Sequence, residues 1–281
     1  MSHAAGRSDG TTASGPGHLC WAFAEAGEFV TGAKRFLVEG VAQGKRVCVT
    51  APGDVADLAR RFADLPDFDN LRDRGAVRFK SLDGLYGTDA VVDAAEQVRT
   101  YAAETEEAVA AGFAGFRVAA EVTNLVRTPA QLDAFAGYEH AVDRYMAAYP
   151  FEALCAYNVP VLGTAAVDKL ASMHPRGNVE GVPFHLHGWG QAGAVALEGE
   201  LDLRAHDLFP WALDRAAPQW GPGEVVLDAR ELTFIDHRGL LRLAEQADRR
   251  GITIVLRTRR FSAARMVDIL GIAGVRVEQV A

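Results

Sequence analysis

The chain has 281 residues, 49% of them hydrophobic and 23% charged, enough to bury two cores of ordinary size. A net charge of −8 and a pI of about 5.5 exclude the clustered Lys and Arg of a nucleic-acid-binding surface, and no run approaches the roughly 18 apolar residues of a membrane span. The acidity is uneven: residues before Val182 hold 17 Lys+Arg against 24 Asp+Glu, and those from Val182 onward hold 12 against 13. Cys20, Cys48 and Cys155 each sit inside an apolar strand-like run with no second Cys or His at metal-ligand spacing, and they read as buried thiols of a reducing cytoplasm.

The opening MSHAAGRSDGTTASGPG is polar, rich in Gly and Ser and without the apolar core of a signal peptide, so residues 1–17 are expected to form a disordered tail. Short apolar runs then alternate with helical patterns: HLCWAF (18–23), a helix over 28–43, KRVCVT (45–50), a helix over 55–65, and AVRFKSL (76–82). The rhythm continues with a long helix over 89–111, GFRVAAEV (115–122), a helix over 131–148, FEALCAYN (151–158) and a short helix ending near His174. Runs that are apolar on both faces and separated by helices predict a parallel sheet covered by helices on both sides. MHPRGNVEGVP (173–183) gathers Gly and Pro and breaks this rhythm, which predicts a first domain at 18–176, a linker at 177–182 and a second domain at 183–281. Beyond it, FHLHGWGQAGAVALEGEL reads as two strands joined by a Gly-rich turn. A helix over 204–216, a strand over 225–227, a helix after Asp236, a strand over 253–257, a helix over 262–270 and a strand over 275–280 complete a compact α/β unit.

In the first domain, LVEGVAQGKRVCVTAP (37–52), preceded by a strand and a helix, resembles RecA-like ATPases of the circadian-clock type, in which the first strand leads into a phosphate loop. That loop would need bared glycine N–H groups, a Lys and a hydroxyl; AEAGEF (24–29) has none of the last two, and Glu25 and Glu28 would repel a triphosphate, so the phosphate loop is degenerate. This combination resembles the MEDS domain, a sensory relative of such ATPases, over 18–174. The resemblance is carried by HLCWAF with His18, FLVEGVAQGKRV, Tyr86, FRVAAEVT with Glu121, Tyr138-Glu139, FEALCAYN with Cys155 and Tyr157, and His174-Pro175. It implies a ligand site around the strand ends, composed of His18, Tyr86, Glu121, Tyr157 and His174, with Trp21 and Phe23 as apolar wall and a small organic molecule as ligand. His18, Glu121 and His174 lack local ligand spacing, and neither a metal nor a cofactor is expected.

In the second domain, EGELDL (198–203), FIDHRG (234–239) and RTRRFSAARMVDILGI (257–272) resemble in order and spacing the STAS domains, the fold of anti-sigma factor antagonists. Asp236 ends a strand with a carboxylate able to cap the next helix, Gly239 lets that helix start close to its surroundings, and whatever stands at position 237 is displayed at a positive helix end. The resemblance implies a Ser or Thr there as phospho-acceptor; this chain has His237, so the covalent switch is expected to be absent. Asp236, His237, Arg238 and Gly239 are the candidate partner-binding residues.

Together these resemblances imply an α/β protein: a RecA-like parallel sheet flanked by helices, followed by a smaller STAS-like α/β domain. The implied function is that of a cytoplasmic bacterial signalling regulator resembling anti-sigma factor antagonists, with an anti-sigma factor or related switch protein as partner and neither nucleic acid nor membrane. No nucleophile–base pair supports an enzyme; the alternatives are a small-molecule-processing enzyme using the N-terminal pocket and a non-switching scaffold.

Overall fold

A computed structural model describes residues 17–83, 90–190 and 193–280. Residues 1–16 of the expected tail, and Tyr86, lie outside the described residues.

The first sheet contains β1 (His18–Phe23), β2 (Arg46–Ala51), β3 (Val77–Ser81), β4 (Phe116–Glu121), β5 (Phe151–Asn158) and the short β6 (Arg176–Gly177), in the order β3-β2-β4-β5-β1-β6 and parallel throughout. α1 (Ala26–Ala42), α2 (Val55–Arg60) and α3 (Phe68–Asp73) belong to one layer of the core, where Phe29, Phe36, Phe62 and Phe68 pack on Val47, Val49, Ala119 and Leu154. α4 (Ala94–Ala110), α5 (Pro129–Met146) and α7 (Thr164–Ala171), the last preceded by the single turn α6 (Val159–Leu162), cover the other face. The parallel sheet with helices on both sides is therefore as expected from the doubly apolar strands. α3 was not expected, and the helix predicted over 55–65 stops at Arg60.

α5 organises everything that follows. Thr128 caps its N-terminus in a reciprocal box with Gln131, and Pro129 takes the first helical position, where a missing N–H costs nothing. Its buried stripe runs Leu132, Phe135, Ala136, Glu139, Val142, Asp143 and Met146, so two carboxylates occupy positions where the helical period calls for apolar residues.

The second sheet is mixed, in the order β10-β8-β9-β11-β12, from β8 (Val195–Leu201), β9 (Glu224–Ala229), β10 (Leu232–Ile235), β11 (Thr253–Thr258) and β12 (Val275–Gln279); β7 (Phe184–His187) pairs antiparallel with β8. α8 (Leu208–Ala216), α9 (His237–Arg250) and α10 (Phe261–Leu270) contribute Phe209, Leu213, Leu240, Leu243 and Ala263 to its core.

The two sheets are not independent lobes joined at one point. α5 packs on α8, where Asp133 accepts from Trp211 Nε1 at 3.0 Å and from Arg215 Nε at 3.1 Å, and His140 Nε2 accepts from Trp220 Nε1 at 3.3 Å. Leu186 N–H donates to Ser172 O at 2.8 Å, and Ala136 and Met173 are part of the second core.

Candidate functional site

Strand alternation puts His18, Cys20 and Ala22 of β1 on one face of the first sheet, and the parallel register sets Cys155 beside Cys20 and Tyr157 beside Ala22 on that same face. Glu139 and Asp143, one helical turn apart on α5, come down onto it, and His174 enters from the turn between α7 and β6. Apart from the half-buried Ala22 these side chains are all buried, with His18, Glu139, Asp143, Tyr157 and His174 at 0% exposure.

His18 sits between the two carboxylates. Its Nδ1 donates to Asp143 Oδ1 at 3.0 Å, and its Nε2 lies 3.0 Å from Glu139 Oε2 and 3.7 Å from Cys155 Sγ. Tyr157 Oη donates to Glu139 Oε1 at 2.5 Å, and His174 Nε2 stands 3.6 Å from the same oxygen, with the two imidazole rings 4.2 Å apart. His174 Nδ1 donates to Leu170 O at 2.8 Å. Asp143 also accepts from the backbone N–H of Gly188 and from Trp189 Nε1, both in the segment between β7 and β8 of the second domain. A Cβ at position 188 would lie 2.9 Å from Arg144 N, so only glycine lets that backbone come close enough.

The electrostatics follow from this packing. Burial works against a charge on His18, but hydrogen bonds to Asp143, Cys155 and Glu139 outweigh it and hold the imidazole well above the ordinary 6.5. Burial alone would raise Glu139 and Asp143; the histidines around Glu139, and His18 beside Asp143, bring both below the usual carboxylate range. His174 is pushed down to about 4 by burial and by its charged neighbour His18, and is neutral. Burial and the Glu139 charge push the Cys155 thiol up to about 12. The resting cluster is thus an imidazolium between two carboxylates, with a neutral histidine and a protonated thiol completing the ring.

His18, Tyr157 and His174 therefore come together as sequence reasoning grouped them. Glu121 does not join them: it pairs with Ala156, one residue off Cys155, so its side chain leaves the opposite face of the sheet, where its carboxylate accepts from Thr123 N at 3.1 Å. The same alternation turns Trp21 and Phe23 away from His18 and into the core under α1. The cluster lies on the sheet face under α5 and not around the strand ends. The void beside Cys155 measures about 20 Å³, room for a water and not for an organic molecule. Glu139 and Cys155 carry the family resemblance in the sequence but stand outside the candidate pocket drawn from it, and Asp143 belongs to neither; the signal available was the pair of carboxylates in the apolar stripe of α5. One ligand atom each from His18, Glu139, Cys155 and His174 lie within 4.8 Å of one another, close enough to share a metal ion.

At the β1–α1 junction, Glu28 Oε2 accepts from Ala24 N at 2.7 Å and from Glu25 N at 3.3 Å. A side-chain carboxylate already occupies the backbone donors an anion would use.

The second site is exposed. Asp236 caps α9 by accepting from Gly239 N at 2.8 Å, and its other oxygen accepts from His206 Nε2 at 2.7 Å. The cap hydrogen bond and His206 hold Asp236 below its ordinary range against a burial effect that would raise it. Arg238 Nη1 donates to His206 Nδ1 at 3.1 Å, and Gly239 packs against Ile235 and Leu201 where a Cβ would meet Ile235 Cγ1 at 3.0 Å. His237 stands exposed at the first helical position. Beside it a cleft of about 390 Å³ between α8 and α9 is lined by His206, Phe209, Pro210, Asp236, Arg238 and Leu241. Leu203, Phe234 and Leu241 are exposed nearby, an apolar rim around the polar turn.

Fold and sites together define a class: a helix-covered parallel-sheet domain with a buried ionisable cluster, joined to a smaller α/β domain with a mixed sheet and an exposed helix-capping turn. Comparison with known families names both parts. The MEDS family, described as the methanogen/methylotroph, DcmR sensory domain, matches residues 17–175, and the family described as "Mlab, STAS domain" matches residues 184–278. The first match covers more than half of the chain, which belongs to the MEDS family. No curated protein matches it. Among the described residues no helix is long and apolar enough to cross a membrane.

Proposed function

We propose that this chain is a cytoplasmic bacterial signalling regulator resembling anti-sigma factor antagonists, in which the state of the buried His18 cluster governs how the STAS domain presents the α9 turn and its cleft to an anti-sigma factor or switch kinase. The observation that carries this reading is Asp143, one carboxylate shared by His18 in the sensory domain and by Gly188 and Trp189 in the STAS domain. A change at His18 alters the charge and geometry of Asp143, and Asp143 holds the segment that leads into β8. A buried charged network has few intermediate arrangements, which suits it to pass on a two-state signal.

Control by ATP is not part of this reading. The absence of a phosphate-loop Lys and hydroxyl, and the occupation of the Ala24 and Glu25 N–H groups by Glu28, support a degenerate phosphate loop. Catalysis is not part of it either, since the ionisable groups of the cluster are enclosed where a substrate would have to reach them. His237 in place of a hydroxyl supports a partner contact set by conformation and not by phosphorylation.

Affinity capture with the full chain tests the proposal. Wild type is expected to retain an anti-sigma factor or switch kinase that a Leu241→Glu, Arg238→Glu double variant loses, with retention insensitive to ATP. A partner held equally by both proteins would place the interface elsewhere, and a partner released by ATP would contradict the missing switch.

A further inference from the structure

We propose that His18 Nε2, a Glu139 carboxylate oxygen, Cys155 Sγ and His174 Nε2 are the four ligands of a tetrahedral site for a divalent transition-metal ion of the zinc type. This deepens the sensory reading above by naming what the cluster holds; the binding itself requires no partner.

The distances are those of a ligand shell. Bonds of about 2.0–2.3 Å in a tetrahedron put neighbouring ligand atoms roughly 3.3–3.8 Å apart. Here His18 Nε2 to Cys155 Sγ is 3.7 Å, Cys155 Sγ to Glu139 Oε2 is 3.7 Å and His18 Nε2 to Glu139 Oε2 is 3.0 Å, and with His174 one ligand atom from each of the four groups falls within 4.8 Å of the others. Small shifts of side chains close the shell.

Both imidazoles are prepared for it in the way metal ligands are. Each spends its Nδ1–H on an outer acceptor, His18 on Asp143 and His174 on Leu170 O, which turns both Nε2 atoms toward the common centre. His174 Nε2 is a fully buried nitrogen with no hydrogen-bond partner among the described residues, aimed at the same point. An unsatisfied acceptor in a core is rare unless something else fills it. Tyr157 holds the free oxygen of Glu139, as an outer-shell group does for a ligating carboxylate.

The donor set selects the ion. Two imidazole nitrogens, one thiolate and one carboxylate suit Zn²⁺ or Co²⁺ and not the oxygen-seeking Mg²⁺ or Ca²⁺. Charge balances as well: the dication enters as two protons leave, one from His18 Nε2 and one from Cys155 Sγ, so the net charge enclosed by the core is unchanged. The four ligands come from β1, α5, β5 and the α7–β6 turn, which ties the first strand of the sensory domain to its last turn. Asp143, behind His18, carries the occupancy of the site to Gly188 and Trp189.

The test uses the full chain, stripped with a chelator and reloaded with Zn²⁺ or Co²⁺. One ion per chain by elemental mass spectrometry, and a cobalt spectrum with intense tetrahedral d–d bands and a thiolate charge-transfer band, are expected. Cys155→Ser should abolish the thiolate band and His174→Gln should weaken both, while Cys48→Ser leaves them intact; Asp143→Asn, behind the shell, should lower affinity about 10–100-fold. X-ray absorption on the zinc-loaded wild type requires no variant and should show one sulfur and three nitrogen or oxygen neighbours. A folded, stripped wild type that takes up neither ion, or a first shell without sulfur, overturns the site. Metal uptake with no effect on partner capture would strike the signalling reading and leave the metal site standing.

Discussion

The two candidate sites are built on the same device, an aspartate that receives a backbone N–H, and differ in what surrounds it. Asp236 lies near the surface, caps one helix and meets solvent; Asp143 lies at 0% exposure and receives a backbone N–H, an indole N–H and an imidazole N–H from two domains. The first can lose its partners to water at modest cost. The second cannot, because an uncompensated charge or donor left in the core keeps its full desolvation penalty. A surface turn of this kind is suited to being read by a partner, and a buried cluster of this kind is suited to holding two domains in one relative state.

That contrast orders the expected effects of substitution. Asp143→Ala leaves His18 Nδ1–H, Gly188 N–H and Trp189 Nε1 unpaired and should cost about 3–5 kcal/mol by urea denaturation, the range for breaking a buried ion pair. A loss below about 1 kcal/mol would mean the cluster is wet, and the contrast with Asp236 would vanish.

His140 gives the next largest effect, and its sign is fixed by burial. Its folded pKa is pushed down to about 4, below the ordinary 6.5, so between those values the unfolded chain binds the proton that the folded chain refuses. Its contribution is complete above about pH 6.5 and is lost as pH falls toward 4. Between pH 7 and pH 5 this amounts to about 2 kcal/mol. Unfolding free energies at the two pH values should converge by that amount in His140→Asn; an unchanged pH slope would place His140 in contact with water in the folded state.

Asp236→Ala removes an N-cap and should cost about 1 kcal/mol, several times less than Asp143→Ala. Equal costs at the two aspartates would erase the distinction between display and core. His237→Ser touches nothing buried and should change stability by less than about 0.5 kcal/mol, while placing a hydroxyl at the start of α9. Phosphopeptide mass spectrometry after incubation with an anti-sigma kinase should find phosphate on the variant and none on the wild-type turn. Phosphate at Thr233 of wild type would show a relocated switch.

How much of this was legible in the sequence differs between the sites in the same way. The Asp236–Gly239 turn depends on local chemistry: a capping carboxylate, a close-packed glycine and a helix over 237–250 with Leu240, Leu243 and Ala247 inward, all within fifteen residues. The cluster depends on contacts 125 and 137 residues apart, between His18 and Asp143 and between His18 and Cys155. His18, Tyr157, His174 and Glu121 were all grouped by family resemblance around the strand ends, but the face Glu121 leaves, set by the register of β4 on β5, was not legible. Glu139 and Asp143 were legible in principle as charges in an apolar stripe. β6 straddles the expected boundary, Arg176 in the first domain and Gly177 in the linker, because two residues carry no periodicity; its parallel pairing with β1 and the close approach of Gly177 to Cys20 O, 2.3 Å from where its Cβ would be, mark it as part of the sheet.

The central claim is that Asp143 couples the buried cluster to the STAS domain, and a double-mutant cycle across the domain boundary tests it most directly. His18→Gln and Trp189→Phe, singly and together, are compared by urea unfolding. The two side chains share Asp143 Oδ1, so their costs should fail to add by about 1 kcal/mol or more. Additivity within about 0.3–0.5 kcal/mol would contradict the account, since it would show that the sensory core and the STAS domain do not feel each other through Asp143.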